Sequence, residues 1–245
     1  MQNYKNEFLK KGFFKITKFI DSFEMPKILN EINKSKNKNI YKDRNNKIRR
    51  IEHFYKDSFY LQNLNIKFIK LIKKTINEDF LIFKDKFNLK PAGGEGFYAH
   101  YDGVFKFIDF KNKEKNGWYE YGDYFLNVLL AIDKCSKKNG TIELSNSHNE
   151  NFENLLKNTK CDGTPNLLEK IEKNIFFKKI NLDPGDVVIF KNTCPHRSDK
   201  NKSKLDRRIL YFTYLSKEYG NQYEKYFKDK INTKNNSSKS LSGNI

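Results

Sequence analysis

From Phe80 onward the apolar residues stop recurring at helical spacing and fall into short runs. These are Phe80–Phe83, Phe87–Leu89, Tyr124–Ile132, Thr141–Leu144, Asn174–Ile180, Val187–Phe190 and Arg208–Leu215. Each has the length of a strand and is too short for a buried helix. Turn-forming residues separate several of them: Pro91-Ala92-Gly93-Gly94, Asn139-Gly140 and Asp183-Pro184-Gly185-Asp186. Many short strands in succession bury their apolar faces as a sandwich or barrel.

The chain before Phe80 reads differently. Tyr4–Lys11 predicts a short helix, Gly12 ends it, and Phe13–Thr17 has strand character. Ser22 is placed as the N-cap of a helix reaching Lys34, and Ser35–Arg50 reads as a polar surface loop. Phe59, Leu61, Leu64, Phe68, Ile69, Ile72 and Ile76 recur at helical spacing, which predicts a helix over Ser58–Ile76. A small helix is expected near Asn151–Lys157 and another over Tyr219–Lys230. The organisation is therefore one domain over residues 1–232: a mostly helical part (1–78), a β core (79–216) and a C-terminal helix (217–232). The Asn/Ser/Lys-rich tail 233–245 is expected to be disordered.

Composition removes several alternatives. No apolar run approaches the roughly 18 residues of a membrane span. Met1–Lys11 lacks the apolar stretch of a signal peptide. Three cysteines without close spacing argue against a disulfide framework, so a reduced, cytoplasmic protein is expected. The net charge of +18 raises nucleic acid as a partner, but only Arg44, Arg49, Arg50, Arg197, Arg207 and Arg208 are arginines. Base and phosphate readers favour arginine forks, whereas here lysine is spread along the whole chain as on a solvated surface. No specific nucleic-acid partner is expected, and the sequence indicates no oligomeric state.

Two of the four histidines suit one chemistry. In Phe97-Tyr98-Ala99-His100-Tyr101-Asp102, strand periodicity puts His100 and Asp102 on one face. An imidazole and a carboxylate side by side are two ligands of a 2-His-1-carboxylate facial triad, which leaves positions open for a chelating cosubstrate and O2. His196, after the strand Val187–Phe190, supplies the third ligand. An isolated His-x-Asp is weak by itself. What strengthens it is His196-x-Ser198 followed by Arg207, because a buried arginine beside the distal histidine makes a bidentate clamp for a carboxylate.

The pattern from His100 to Tyr214 resembles the phytanoyl-CoA dioxygenase family of Fe(II)- and 2-oxoglutarate-dependent oxygenases. The shared marks are His100-Tyr101-Asp102, Asn139-Gly140-Thr141-Ile142-Glu143, Ser145-Asn146-Ser147-His148, Pro184-Gly185-Asp186-Val187-Val188-Ile189-Phe190 and the run from His196 to Arg207. The resemblance implies an α+β, mainly β fold: a double-stranded β-helix (jelly-roll) core with N-terminal helices packed on it. It implies Fe(II) at His100, Asp102 and His196, O2 as oxidant, and 2-oxoglutarate anchored by Arg207 with help from Ser198. Where the family often has Pro-Gly before Ser-His, this chain has Ser145-Asn146, and Asn tolerates the same turn. Strand parity separates Arg207, the clamp, from Arg208, which faces the other side.

Within the family, Phe83–Phe97, Ala131-Ile132-Asp133 and Ile209–Tyr214 are similar to the members that hydroxylate 2-aminoethylphosphonate and its relatives. The expected reaction is hydroxylation of a C–H bond of a small polar metabolite, an aminophosphonate by this resemblance. Arg50, His53, Lys86 and Lys90 are the candidate substrate contacts, because a small anionic substrate needs cations near the iron. The carboxylate at Asp102 argues against halogenation. Other substrate classes (amino acid, acyl-CoA, natural product) and a cupin-like isomerase are rival readings. So is a non-enzymatic basic nucleic-acid binder, which explains the charge but not the triad. Cys194 is considered as an extra ligand, His148 as a turn residue or a substrate contact, and Trp118 with Tyr119 and Tyr121 as a lid or as packing within their loop.

Overall fold

The computed structural model describes residues 2–43 and 45–236. The elements follow in the order α1 (Gln2–Lys11), β1 (Phe13–Ile16), α2 (Met25–Lys34), β2 (Asn39–Lys42), β3 (Ile48–Glu52), α3 (Phe59–Ile76), β4 (Phe80–Lys90) and β5 (Phe97–His100). A hairpin of β6 (Phe107–Ile108) and β7 (Glu114–Lys115) precedes β8 (Phe125–Ala131), β9 (Ile142–Leu144), α4 (Phe152–Lys157) and α5 (Glu169–Glu172). The chain closes with β10 (Lys178–Lys179), β11 (Val187–Lys191), β12 (His196–Ser198), β13 (Arg207–Ser216) and α6 (Tyr223–Asn236).

A seven-stranded sheet, β1-β11-β8-β13-β4-β3-β2, lies against a four-stranded sheet, β10-β9-β12-β5. Together they make an open jelly roll, with N-terminal helices packed on its outside as the sequence leads one to expect. β8 shows why it is buried throughout. Leu126, Val128 and Leu130 face the helical layer, while Leu129 and Ala131 face the small sheet across the sandwich. That is the period-two alternation of a strand covered on both sides.

α3 covers the outer face with Leu61, Leu64, Phe68, Ile72 and Ile76. The Phe68 ring meets Phe212 of β13 edge-on at 5.7 Å. Each fully buried side chain of this kind contributes about 1.5–3 kcal/mol, so this stripe is what fixes the helix to the sheet. Ser58 caps its start by accepting from the Leu61 amide at 3.3 Å. Asn77 ends it in the left-handed conformation (φ 69°).

Five expectations are corrected. Ser35–Arg50 is not a loop: it contributes the edge hairpin β2–β3, whose turn is tied by Asp43 Oδ1 accepting from the Asn45 and Lys47 amides. The runs Phe80–Phe83 and Phe87–Leu89 are one strand, joined through Lys84, Asp85 and Lys86. Ser22 opens a 3-10 turn instead of capping α2, which starts at Met25 with Pro26 in its first turn. Of Asn174–Ile180 only Lys178–Lys179 is strand. At the C-terminus α6 continues to Asn236 and buries Thr233, so 233–236 are helical, while residues 237–245 lie outside the described residues.

Candidate active site

β5 and β12 are antiparallel neighbours with His100 directly opposite His196, and their ring centroids are 4.1 Å apart. Asp102 follows two residues after His100, with its Oδ2 3.6 Å from His196 Nε2 and its Oδ1 4.0 Å from His100 Nε2. All three ligand atoms lie within 4.8 Å of one another.

Both rings are oriented from behind. His100 Nδ1 donates to the Tyr98 carbonyl at 2.7 Å and His196 Nδ1 to the Cys194 carbonyl at 3.0 Å. A carbonyl only accepts, so each Nδ1 carries the proton and each Nε2 presents its lone pair to the shared point. Burial holds both imidazoles neutral, His100 down to about 3, with His196 adding to the effect there. For Asp102 burial works the other way, but His196, Lys86 and His100 keep its carboxyl below the usual range. Asn127 Nδ2 donates to Asp102 Oδ2 at 2.9 Å, and Thr213 Oγ1 donates to Asn127 Oδ1 at 2.8 Å, which fixes the amide in the donating orientation.

Arg207 is buried at one end of the pocket. Its Nη2 donates to the Gly140 carbonyl at 3.3 Å, and its buried Nε has no hydrogen-bond partner among the described residues. Gly140 itself sits at φ +67°, where a Cβ would come 2.0 Å from the Asp199 carbonyl. The next residue, Arg208, turns to the opposite side and grips Asp133 at 2.7 and 2.8 Å, as strand parity requires. Lys90, expected at the substrate, instead lies under this end: its Nζ donates to Ser198 Oγ at 2.7 Å and to the carbonyls of Gly140 (3.2 Å) and Asp199 (2.5 Å). The contact with Lys90 Nζ holds the Ser198 hydroxyl at this end of the pocket.

The rest of the pocket is lined by Arg50 from β3, by Lys84, Lys86 and Asn88 from β4, and by Ile209 and Tyr211 from β13. Trp118 and Tyr121 form the facing wall with Tyr226 and Lys230 of α6. His53 is not brought in: its ring stacks on Phe227 at 4.3 Å and its Nε2 faces Glu224 at 3.6 Å. Cys194 is not a ligand either. Its thiol points at the Gly12 carbonyl (3.4 Å) and burial pushes it up to about 12. His148 receives the Tyr101 hydroxyl, in keeping with a local structural role. Lys84 and Asn88 escaped the sequence reading although they share the parity of Lys86. Tyr226 and Lys230 carry no local signal, because only the return of α6 across the sheet places them here.

Two histidines and an aspartate around one point, on paired strands of an open jelly roll, have the donor set and spacing that could hold a metal ion in the manner of a facial triad. The chain belongs to the phytanoyl-CoA dioxygenase (PhyH) family, which it matches over residues 8–209. It is 29% identical over 160 residues to the 2-aminoethylphosphonate dioxygenase of Uncultured bacterium HF130_AEPn_1, covering 65% of this chain and 55% of the relative. It is 26% identical over 156 residues to the methylphosphonate hydroxylase of Gimesia maris, covering 63% and 53%. The chain thus spans about half the length of these curated relatives. Among solved structures, the 2-oxoglutarate-dependent carbocyclase SnoK of nogalamycin biosynthesis superposes with a TM-score of 0.68 at 11% identity, covering 88% of this chain and 84% of that one. EctD from S. alaskensis with 2-oxoglutarate and 5-hydroxyectoine gives 0.66 at 14%, covering 89% and 77%. These structural likenesses establish the fold.

Proposed function

We propose that this protein is an Fe(II)- and 2-oxoglutarate-dependent dioxygenase that hydroxylates a C–H bond of a small polar metabolite of the phosphonate class. The observation that carries the reading is the His100–Asp102–His196 cluster together with Arg207, whose buried Nε has no hydrogen-bond partner among the described residues. Two neutral imidazole nitrogens and one carboxylate are the donor set iron(II) takes when it must keep positions open. Bound there, iron supplies the O2 chemistry that couples decarboxylation of 2-oxoglutarate, to succinate and CO2, to insertion of one oxygen atom into the substrate.

The chain's own residues do the rest. Arg207 receives the distal carboxylate of 2-oxoglutarate through Nε and Nη, a charge-assisted pair, and Ser198 adds its hydroxyl proton. Lys90 keeps Ser198 and the Gly140 turn in place. Asn127 and Thr213 hold Asp102 in its orientation. The carboxylate at Asp102 fills the position that a halide would need, so hydroxylation is the outcome. Trp118, Tyr121 and Tyr226 shield the reacting carbon from water.

The names of the relatives and the cations beside the triad support a phosphonate substrate. The test is to incubate the iron-loaded protein and 2-oxoglutarate with aminophosphonates, methylphosphonate, amino acids, betaines and acyl-CoAs. Succinate release and a product heavier by one oxygen are then followed. Product from an acyl-CoA alone would sink the small-metabolite reading, and product from amino acids alone would sink its phosphonate part.

A further inference from the structure

On the inner face of β4, Lys84 and Lys86 are two residues apart, so the pleat turns both ammonium groups into the pocket. Neither makes a hydrogen bond or a close ion pair among the described residues. Each lies instead over an aromatic face. Lys84 Nζ is 4.3 Å from the centre of the Trp118 ring, and Lys86 Nζ is 4.5 Å from that of Tyr211. Beside them the buried Asn88 Oδ1 also lacks a partner.

The neighbouring carboxylates are committed elsewhere. Glu52 pairs through Oε2 with Lys230, and its Oε1, without a hydrogen bond among the described residues, faces Arg50 at 3.7 Å and does not line the pocket. Asp229 accepts from Tyr121 at 3.0 Å and from Lys225 at 3.2 Å. Asp102 belongs to the metal. Two like charges on adjacent inner positions of one strand, out of water, are strongly unfavourable, and a cation–π contact offsets only part of that. The cosubstrate does not supply the missing charge. Iron(II), the Asp102 carboxylate, dianionic 2-oxoglutarate and the Arg207 guanidinium already sum to zero.

Building on the phosphonate reading above, we infer that Lys84 and Lys86 form the seat for the substrate's charged group, and that this group is a compact dianion such as a phosphonate. A monoanionic carboxylate or sulfonate leaves one lysine unmatched, and a betaine has the wrong balance. Glu52 does not line the pocket and Asp229 is engaged by Tyr121 and Lys225, so no lining carboxylate beyond Asp102 is left for an ammonium. The anion therefore carries recognition, and an amino group on the substrate is not required. Burial lowers both amines below the ordinary lysine value, and a dianion between them restores their charge.

Trp118 is the only tryptophan of the chain, so its fluorescence reports directly on this seat. The experiment titrates metal-free protein, and protein loaded with a redox-inert divalent metal and 2-oxoglutarate, with four probes at pH 8. These are methylphosphonate, 2-aminoethylphosphonate, methanesulfonate and acetate. Saturable binding of both phosphonates, with sulfonate and acetate at least tenfold weaker, is expected. Lys84→Met and Lys86→Met should each weaken phosphonate binding tenfold or more, with 2-oxoglutarate affinity and circular dichroism unchanged. Lys84→Arg should recover part of the loss. Methanesulfonate binding as tightly as methylphosphonate would overturn the dianion rule. Loss of 2-oxoglutarate affinity in either methionine variant would reassign the lysines to the cosubstrate. Phosphonate binding in these titrations, with no succinate release when the same protein is loaded with Fe(II) in air, would leave the seat standing and the hydroxylase reading refuted, whereas Fe(II)-supported turnover indifferent to both lysines would do the reverse.

Discussion

Replacing Arg207 by alanine tests the cosubstrate end of the pocket, and the structure sets the size of the effect. The guanidinium is 3% exposed, and of its inward donors Nη2 is shared with the Gly140 carbonyl while Nε is unpartnered. Two charge-assisted bonds to a carboxylate, at about 1.5–3 kcal/mol each, bound the loss from above. One term works against it. After burial, Arg207 is the largest influence lowering the Lys90 amine to about 6. Its removal lets Lys90 take more charge within reach of the same carboxylate. The net expectation is a 2-oxoglutarate Kd and KM raised about ten- to a hundredfold, or about 1.4–2.7 kcal/mol.

Arg208→Ala is the matched control. It breaks a two-bond grip on Asp133 whose arginine side chain is 36% exposed, so it costs at most about 1 kcal/mol of stability and leaves KM within roughly twofold. Calorimetric titration of 2-oxoglutarate into metal-loaded, anaerobic protein gives Kd, and succinate release gives KM. A larger effect from Arg208 than from Arg207 would refute both the parity and the clamp.

Three further outcomes are expected. His100→Ala, Asp102→Ala and His196→Ala each abolish turnover and weaken Fe(II) binding while circular dichroism stays native; near-normal activity in two of them would remove the triad. Asn127→Leu weakens Fe(II) affinity about 10–100-fold by releasing Asp102 from its donor, and equilibrium dialysis showing unchanged affinity would reduce Asn127 to packing. Glu52 is fully buried, and although burial raises its carboxyl, Lys230, Arg50 and Lys84 hold it down to about 2. A carboxyl depressed from its ordinary 4.5 contributes stability that is complete above that value and lost as pH falls toward 2, here on the order of 3 kcal/mol. Hydrogen exchange over residues 223–236 should therefore quicken between pH 4.5 and 2, and an identical acid profile in Glu52→Gln would show that the pair does not hold α6.

Legibility in the sequence divides along β4. That His100, Asp102 and His196 come together, with Arg207 at the same pocket, was readable because each sits in a local pattern: His-x-Asp at strand spacing, a histidine after a strand, an arginine at fixed parity. Lys84-Asp85-Lys86 was misread as a break between two strands because hydrophobic alternation treats buried charge as loop. The structure reverses that inference. Asp85 is buried on the outer side, where it accepts the Phe54 and Tyr55 amides at 2.7 and 3.0 Å and the Tyr223 hydroxyl at 2.8 Å. It thereby ties the turn before α3, and the start of α6, to the middle of β4. Lys84 and Lys86 alternate with it onto the inner face. Their charge interrupts the apolar pattern where the strand serves the pocket, and the conflict between local pattern and fold marks the site. The hairpin β2–β3 was lost for the same reason. Arg50 and Glu52 lie opposite Asn88 and Lys86 across the β3–β4 ladder, so an edge that reads as a polar loop is one more charged wall of the same pocket.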